Sequence, residues 1–120
     1  MIVTNNPKCL AQFNQKYEVE FLNGKLMDVL EVVRNHIHDG HSLLTHPLSS
    51  SIKPNETPYK TVIITKSRKE VIDFQSVNFI EQAIHTTEKF IRDRGTPAWS
   101  DKILNDFMLI DYDIISQGLS

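Results

Sequence analysis

Apolar residues along this chain change their spacing several times, and each change predicts an element. Ile2-Val3-Thr4 is short and β-branched and predicts a first strand. Asn5-Asn6-Pro7 closes it, because asparagine favours turns and Pro7 pushes Asn6 out of helical geometry. A short helix is predicted around Lys8 to Asn14. Tyr17-Glu18-Val19-Glu20-Phe21-Leu22 alternates with period two and predicts a second strand, ended by the turn residues Asn23-Gly24. Leu26, Val29, Leu30, Val33 and Ile37 then recur at helical spacing, with Asp28, Glu31, Arg34, Asn35 and His38 on the opposite side. Gly40 stands where a C-terminal cap belongs.

Ser42-Leu43-Leu44 predicts a short buried strand. Thr61-Val62-Ile63-Ile64-Thr65 is an almost unbroken β-branched run, the pattern of a central strand covered on both faces. Between the two, Thr45 to Tyr59 has no period of its own, and Lys66 to Asp73 is polar and turn-like. A second long helix is predicted from about Phe74 or Val77 to Arg94, stopped by Gly95, with Phe79, Ile80, Ala83, Ile84, Thr87 and Ile91 on its inner face. Thr96-Pro97-Ala98-Trp99 breaks it. Ser100 or Asp101 can cap a further helix through about Leu109, and the rest of Met108 to Ile115 is open between helix and last strand. Strands alternating with helices predict one α/β domain over residues 1–120, with a small, mostly parallel sheet and helices on both faces in a Rossmann-like three-layer arrangement. In such sheets ligands meet the loops at the carboxyl ends of strands, here Thr4 to Pro7 and Thr45 to Tyr59.

Composition narrows the partners. The 120 residues suit one core, and 40% hydrophobic with 23% charged residues is ordinary for a globular chain. A net charge of −2 offers no broad basic footprint, so neither nucleic acid nor a membrane is an expected partner. Cys9 is the single cysteine, which excludes an intrachain disulfide and points to a reducing compartment. The first residues lack the pattern of a signal peptide, no apolar run reaches membrane-span length, and a cytoplasmic location is expected.

Candidate chemistry concentrates in Thr45 to Tyr59. Fifteen residues without secondary structure are unusual in so small a domain and mark a functional loop or one covering a sheet edge. Pro47, Pro54 and Pro58 stiffen it, and Leu48, Ile52 and Tyr59 can pack it down. His46, Ser49, Ser50, Ser51, Lys53 and Asn55 supply hydroxyls, a cation and amides suited to an anion, although the glycines of a Walker P-loop are missing. Asn5, Asn6, His41 and Thr45 join them as candidate ligand-binding residues if the two loops share a cleft. His36, His38, His41 and His46 lie within eleven residues, but their spacing matches no established zinc pattern, so neither a metal nor another cofactor is expected. His46 is the candidate acid–base residue. Cys9 is either a thiolate at a helix N-terminus or an inert core residue. Asp111 and Asp113 share a face only in a strand. Trp99 and the apolar tail through Ile115 pack on the core or form a subunit contact, which leaves room for a homo-oligomer.

Several of these segments together resemble the GrdX family: Val3-Thr4-Asn5-Asn6-Pro7, Asp28-Val29-Leu30 with Arg34, Ile37-His38-x-Gly40-His41, and Leu43-Leu44-Thr45-His46-Pro47-Leu48. Ser51-Ile52-Lys53-Pro54-Asn55-Glu56-Thr57-Pro58-Tyr59-Lys60 and the tail from Asp106-Phe107 to Ile115 do so too. The family is encoded beside components of glycine, sarcosine and betaine reductase, selenoprotein systems of amino-acid-fermenting anaerobes. The resemblance implies a cytoplasmic accessory or regulatory protein of that system. It would bind a reductase-system protein component or a small anionic metabolite through residues 45–59. It carries over no catalytic residue. The alternative is a small enzyme or sensor for a phosphorylated or carboxylated metabolite such as acetyl phosphate, with His46 as acid–base residue and Lys53 with the serines holding the anion.

Overall fold

A computed structural model describes residues 1–49 and 53–119. Ile2–Thr4 forms β1, and its carboxyl end passes directly into α1, Pro7–Phe13. The Asn6 side chain caps α1 by accepting from the Lys8 amide, and Pro7 occupies the first turn, where no amide donor is needed. Val19–Phe21 is β2 and pairs parallel with β1. α2, Leu26–His38, buries Leu26, Val29, Leu30, Val33 and Ile37, the stripe expected from their spacing. Gly40 follows it at φ +109°, where a Cβ would fall 2.1 Å from the Lys69 carbonyl oxygen, so both conformation and space require glycine. β3 is Thr61–Ile63, α3 is Phe74–Arg94 and α4 is Asp101–Leu119.

The sheet overturns the expected mostly parallel, Rossmann-like three-layer fold. It is a mixed sheet of three short strands in the order β2-β1-β3, and β3 runs antiparallel to β1. The reason lies in the path after α2. Leu43 bridges antiparallel to Ile64, at the end of the sheet where β1 begins, and Ile64 N donates to Met1 O. The chain therefore leaves Leu43 at the amino end of β1 and must reach Thr61, which pairs with Thr4 at the carboxyl end. Three strand residues rise roughly 10 Å, a span that fifteen residues cover easily. The described parts of that connection, residues 45–49 and 53–59, form no strand, and β3 descends through the sheet. Ser42-Leu43-Leu44 contributes a single bridge where a strand was expected.

Val3, Val62 and Ile64 pack with α2 and α3 in one apolar cluster, while Ile2 and Ile63 pack with Cys9, Phe13 and Ile115 of α1 and α4 in another. Alternation along β1 and β3 sends successive side chains to the two clusters. Arg34 and Glu81 tie α2 to α3 through paired hydrogen bonds of 2.6 and 2.8 Å. α3 is capped by Asp73 and stopped at Gly95, but Phe79 and Ile91, expected on its inner face, are exposed. α4 runs on past Leu109 to Leu119, so the open stretch Met108 to Ile115 is helical throughout. Asp111 is accordingly buried while Asp113 is exposed, and the two share no face. No helix among the described residues is long and apolar enough to cross a membrane.

Candidate functional site

β1 and β2 end side by side, Thr4 opposite Phe21, and α2 starts just beyond the Asn23-Gly24 turn. A cleft of about 300 Å³ opens there. Asn5, Pro7 and Phe21 line it together with Asn23 to Met27, Pro54, Asn55, Thr57 to Tyr59, Ile91 and Thr96. Most of this lining is apolar, with polar groups concentrated at two places.

The first is the N-terminus of α2. Lys25 is its N-cap residue, with the extended backbone that position requires (φ −97°, ψ 170°), but its side chain makes no capping hydrogen bond. An ammonium has donors only, so it cannot accept from the first-turn amides. Asp28 reaches back to the Lys25 amide at 2.8 Å without return. The opening amides of a thirteen-residue helix, where the peptide dipoles sum to partial positive charge, are thus left uncapped by the residue placed to cap them. Lys25 and Met27 line the cleft and Asp28 does not.

The second is Asn55, only 4% exposed. Its Nδ2 donates to Gly95 O at 2.8 Å, which fixes the orientation of the amide, and its Oδ1 has no partner among the described residues. A buried carbonyl left without a donor costs on the order of 1–3 kcal/mol, and a ligand N–H or O–H would relieve it. Tyr59, also on the cleft, has its phenol pushed above the usual range by burial, with the Asp101 charge adding to it.

The whole chain, residues 1–120, matches the model of one family, described as GrdX-like protein. This chain belongs to the GrdX-like family. Neither the curated proteins nor the solved structures contain a match.

In this GrdX-like chain the candidate residues separate. Asn5 and Asn55 both line the cleft, and Asn6 does not. Asn5 is nevertheless committed to the fold: Nδ2 donates to Gly24 O and Pro58 O at 2.9 Å each, and Oδ1 accepts from Lys60 N at 2.8 Å. Asn6 is spent on the α1 cap, on Met108 O and on Asp111. His41 is buried at the other end of the sheet, Nδ1 2.7 Å from Thr65 O and edge-on to His36, which meets Glu20 at 2.6 Å. Thr45 Oγ1 accepts from Ile63 N and so satisfies the edge of β3. His46 is exposed beside Phe79, and its Nδ1 accepts from Leu48 N at 3.1 Å. Ser49 O accepts from Lys60 Nζ. Lys53 pairs with Glu56 at 3.6 Å over a shallow depression next to the cleft. Ser51, with Ser50 and Ile52, lies outside the described residues.

Sequence reasoning missed the opening of α2, although a lysine in the N-cap position after an Asn-Gly turn was a readable signal. It also missed a buried polar cluster around Asp111. Asp111 Oδ2 accepts from Thr61 Oγ1 at 2.6 Å, from Asn6 Nδ2 at 2.9 Å and from the Cys9 thiol at 3.7 Å, and Thr4 Oγ1 lies 2.7 Å from Thr61 Oγ1. Burial, aided by the Asp111 charge, pushes the Cys9 thiol up to about 12, which makes it the inert alternative and not a thiolate. Lys60, 2% exposed, is pushed down to about 8 by burial against the opposing pull of Asp111. No group of three or more His, Cys, Asp or Glu suited to a metal ion occurs among the described residues.

Proposed function

We propose that this GrdX-like protein is an accessory component of the glycine, sarcosine and betaine reductase system that binds a small anionic metabolite in the cleft at the start of α2. The observation carrying this reading is the uncapped helix N-terminus, with Lys25 beside it, opening into a cleft of small-molecule size. A carboxylate or phosphate would take the first-turn amides. An N–H or O–H elsewhere on the same molecule would answer Asn55 Oδ1. Binding is favoured over catalysis because the described lining holds no His, Asp, Glu or Cys to move a proton. The enzymatic reading built on His46 draws no support from the geometry, since His46 is not among the residues lining the cleft.

Thermal-shift titrations with glycine, acetate, phosphate and acetyl phosphate test the proposal. A ligand at ten times its Kd stabilises the native state by about 1.4 kcal/mol. Saturable stabilisation by at least one of the four is expected, with its midpoint moved about tenfold higher in ligand concentration by Lys25→Ser. No stabilisation by any of them at millimolar concentration would remove the reading.

A further inference from the structure

Asn55 uses one end of its amide on the end of α3 and leaves the other end without a partner among the described residues. Nδ2 donates to Gly95 O at 2.8 Å, and the Gly95 amide is itself held by Ile91 O at 2.8 Å. Turning the side chain over would set Oδ1 against Gly95 O, two acceptors face to face, so the orientation is fixed. The neighbouring backbone is held as well: Glu56 N donates to Lys53 O at 2.9 Å, and the Trp99 indole donates to Glu56 O at 2.8 Å. Oδ1 is thus an acceptor that cannot exchange places with a donor, on a residue that lines the cleft and is nine-tenths buried. A site built round such a group discriminates against a ligand that brings it no donor, because the carbonyl then stays unpaired.

Charge decides the kind of donor. Asn55 lines two hollows, the α2 cleft and the depression it shares with Lys53, Glu56, Arg94 and Pro97. Among the described residues lining either one, Lys25, Lys53 and Arg94 are cationic and Glu56 alone is acidic, and Glu56 lies 3.6 Å from Lys53. Asp28 stands outside both linings, with an oxygen committed to the Lys25 amide. The Asp101 charge reaches Tyr59, whose phenol burial keeps protonated at neutral pH, so Tyr59 adds no negative charge. An ammonium brought to Oδ1 would lose its water with no free carboxylate to pair it, a far larger penalty than for a neutral hydroxyl or amide N–H. We infer that the ligand of the cleft is an anion bearing a neutral hydrogen-bond donor, a hydroxy acid or an N-acyl amino acid, and that Asn55 selects it over both the plain carboxylate and the free amino acid. This inference rests on the anion seat at α2 proposed above and assigns the chemistry of the rest of the molecule.

Isothermal titration of the protein at pH 7 with acetate, glycolate, N-acetylglycine and glycine tests it. Glycolate or N-acetylglycine should bind at least about tenfold tighter than acetate and than glycine. Asn55→Ala should keep the affinity for acetate and lose the preference, with circular dichroism checking its fold; should that variant not fold, the ranking by the parent protein decides alone. Acetate binding as tightly as both donor-bearing ligands would overturn the inference and leave the anion seat standing. Glycine binding tightest would overturn it too, because an ammonium would then be accommodated. Binding of none of the four at millimolar concentration would remove the anion seat itself, and this inference with it.

Discussion

Replacing Lys25 with serine separates the stability of α2 from the anion seat at its start. The backbone at Lys25 already has N-cap geometry, and Asp28 already accepts from the Lys25 amide at 2.8 Å. Half of a reciprocal capping box is therefore in place, and a hydroxyl at position 25 supplies the half that lysine cannot. Such a cap contributes about 1 kcal/mol. In a domain of this size that raises the melting temperature by about 4 °C. The same hydroxyl occupies the amide a bound anion would use, so affinity for the stabilising metabolite should fall about tenfold while the protein itself becomes more stable. Lys25→Ala is the control: it removes the cation without adding an acceptor, and should leave melting within about 1 °C of the parent. Differential scanning calorimetry and isothermal titration measure the two effects on the same samples. A melting temperature unchanged or lowered by Lys25→Ser would mean that the first-turn amides are already satisfied, and the case for an anion there would fail.

Three further outcomes are expected. Lys60 binds its proton less tightly folded than unfolded, so its burial penalty is fully present below pH 8 and is relieved as pH rises from about 8 towards 10.5. The stability of the parent relative to Lys60→Met should therefore rise by about 3 kcal/mol in urea titrations between pH 7 and pH 10.5; a pH-independent difference would refute the assignment. Asp111→Ala leaves the donors of Thr61, Asn6 and Cys9 unanswered in the interior and should cost about 3 kcal/mol in denaturant titration, whereas a loss under about 1 kcal/mol would show that the cluster relaxes freely. Iodoacetamide should leave Cys9 untouched in the native protein at pH 8 and label it only after unfolding, because its thiol ionises near 12. Stoichiometric labelling of the folded state within minutes would contradict that.

The helices were legible in the sequence because the information they need is local. The buried residues of α2 are the five whose spacing announced them, and Gly95 stops α3 where glycine and the following proline said it would. Phe79 and Ile91 belong to the inner stripe that the sequence predicts, but both are exposed, because α3 presents a narrower stripe to α2 than that set would fill. The cleft was half legible. Prolines and the lack of period marked residues 45–59, and Asn55 proved to line the cleft. Asn5 and Asn6 were also read as groups open to a ligand, yet every amide function they have is taken by backbone or by Asp111.

Sequence by itself determined where this chain turns helical, where it breaks, and which family it resembles. Only tertiary structure decided the direction of β3, since alternation of side chains is identical in parallel and antiparallel strands and the choice depends on which end of the sheet the preceding loop reaches. Tertiary structure also decided that Lys60 and Asp111, charged residues with no local mark of burial, belong inside. Their desolvation is offset by partners between 11 and 105 residues away along the chain, a separation at which no periodicity can speak.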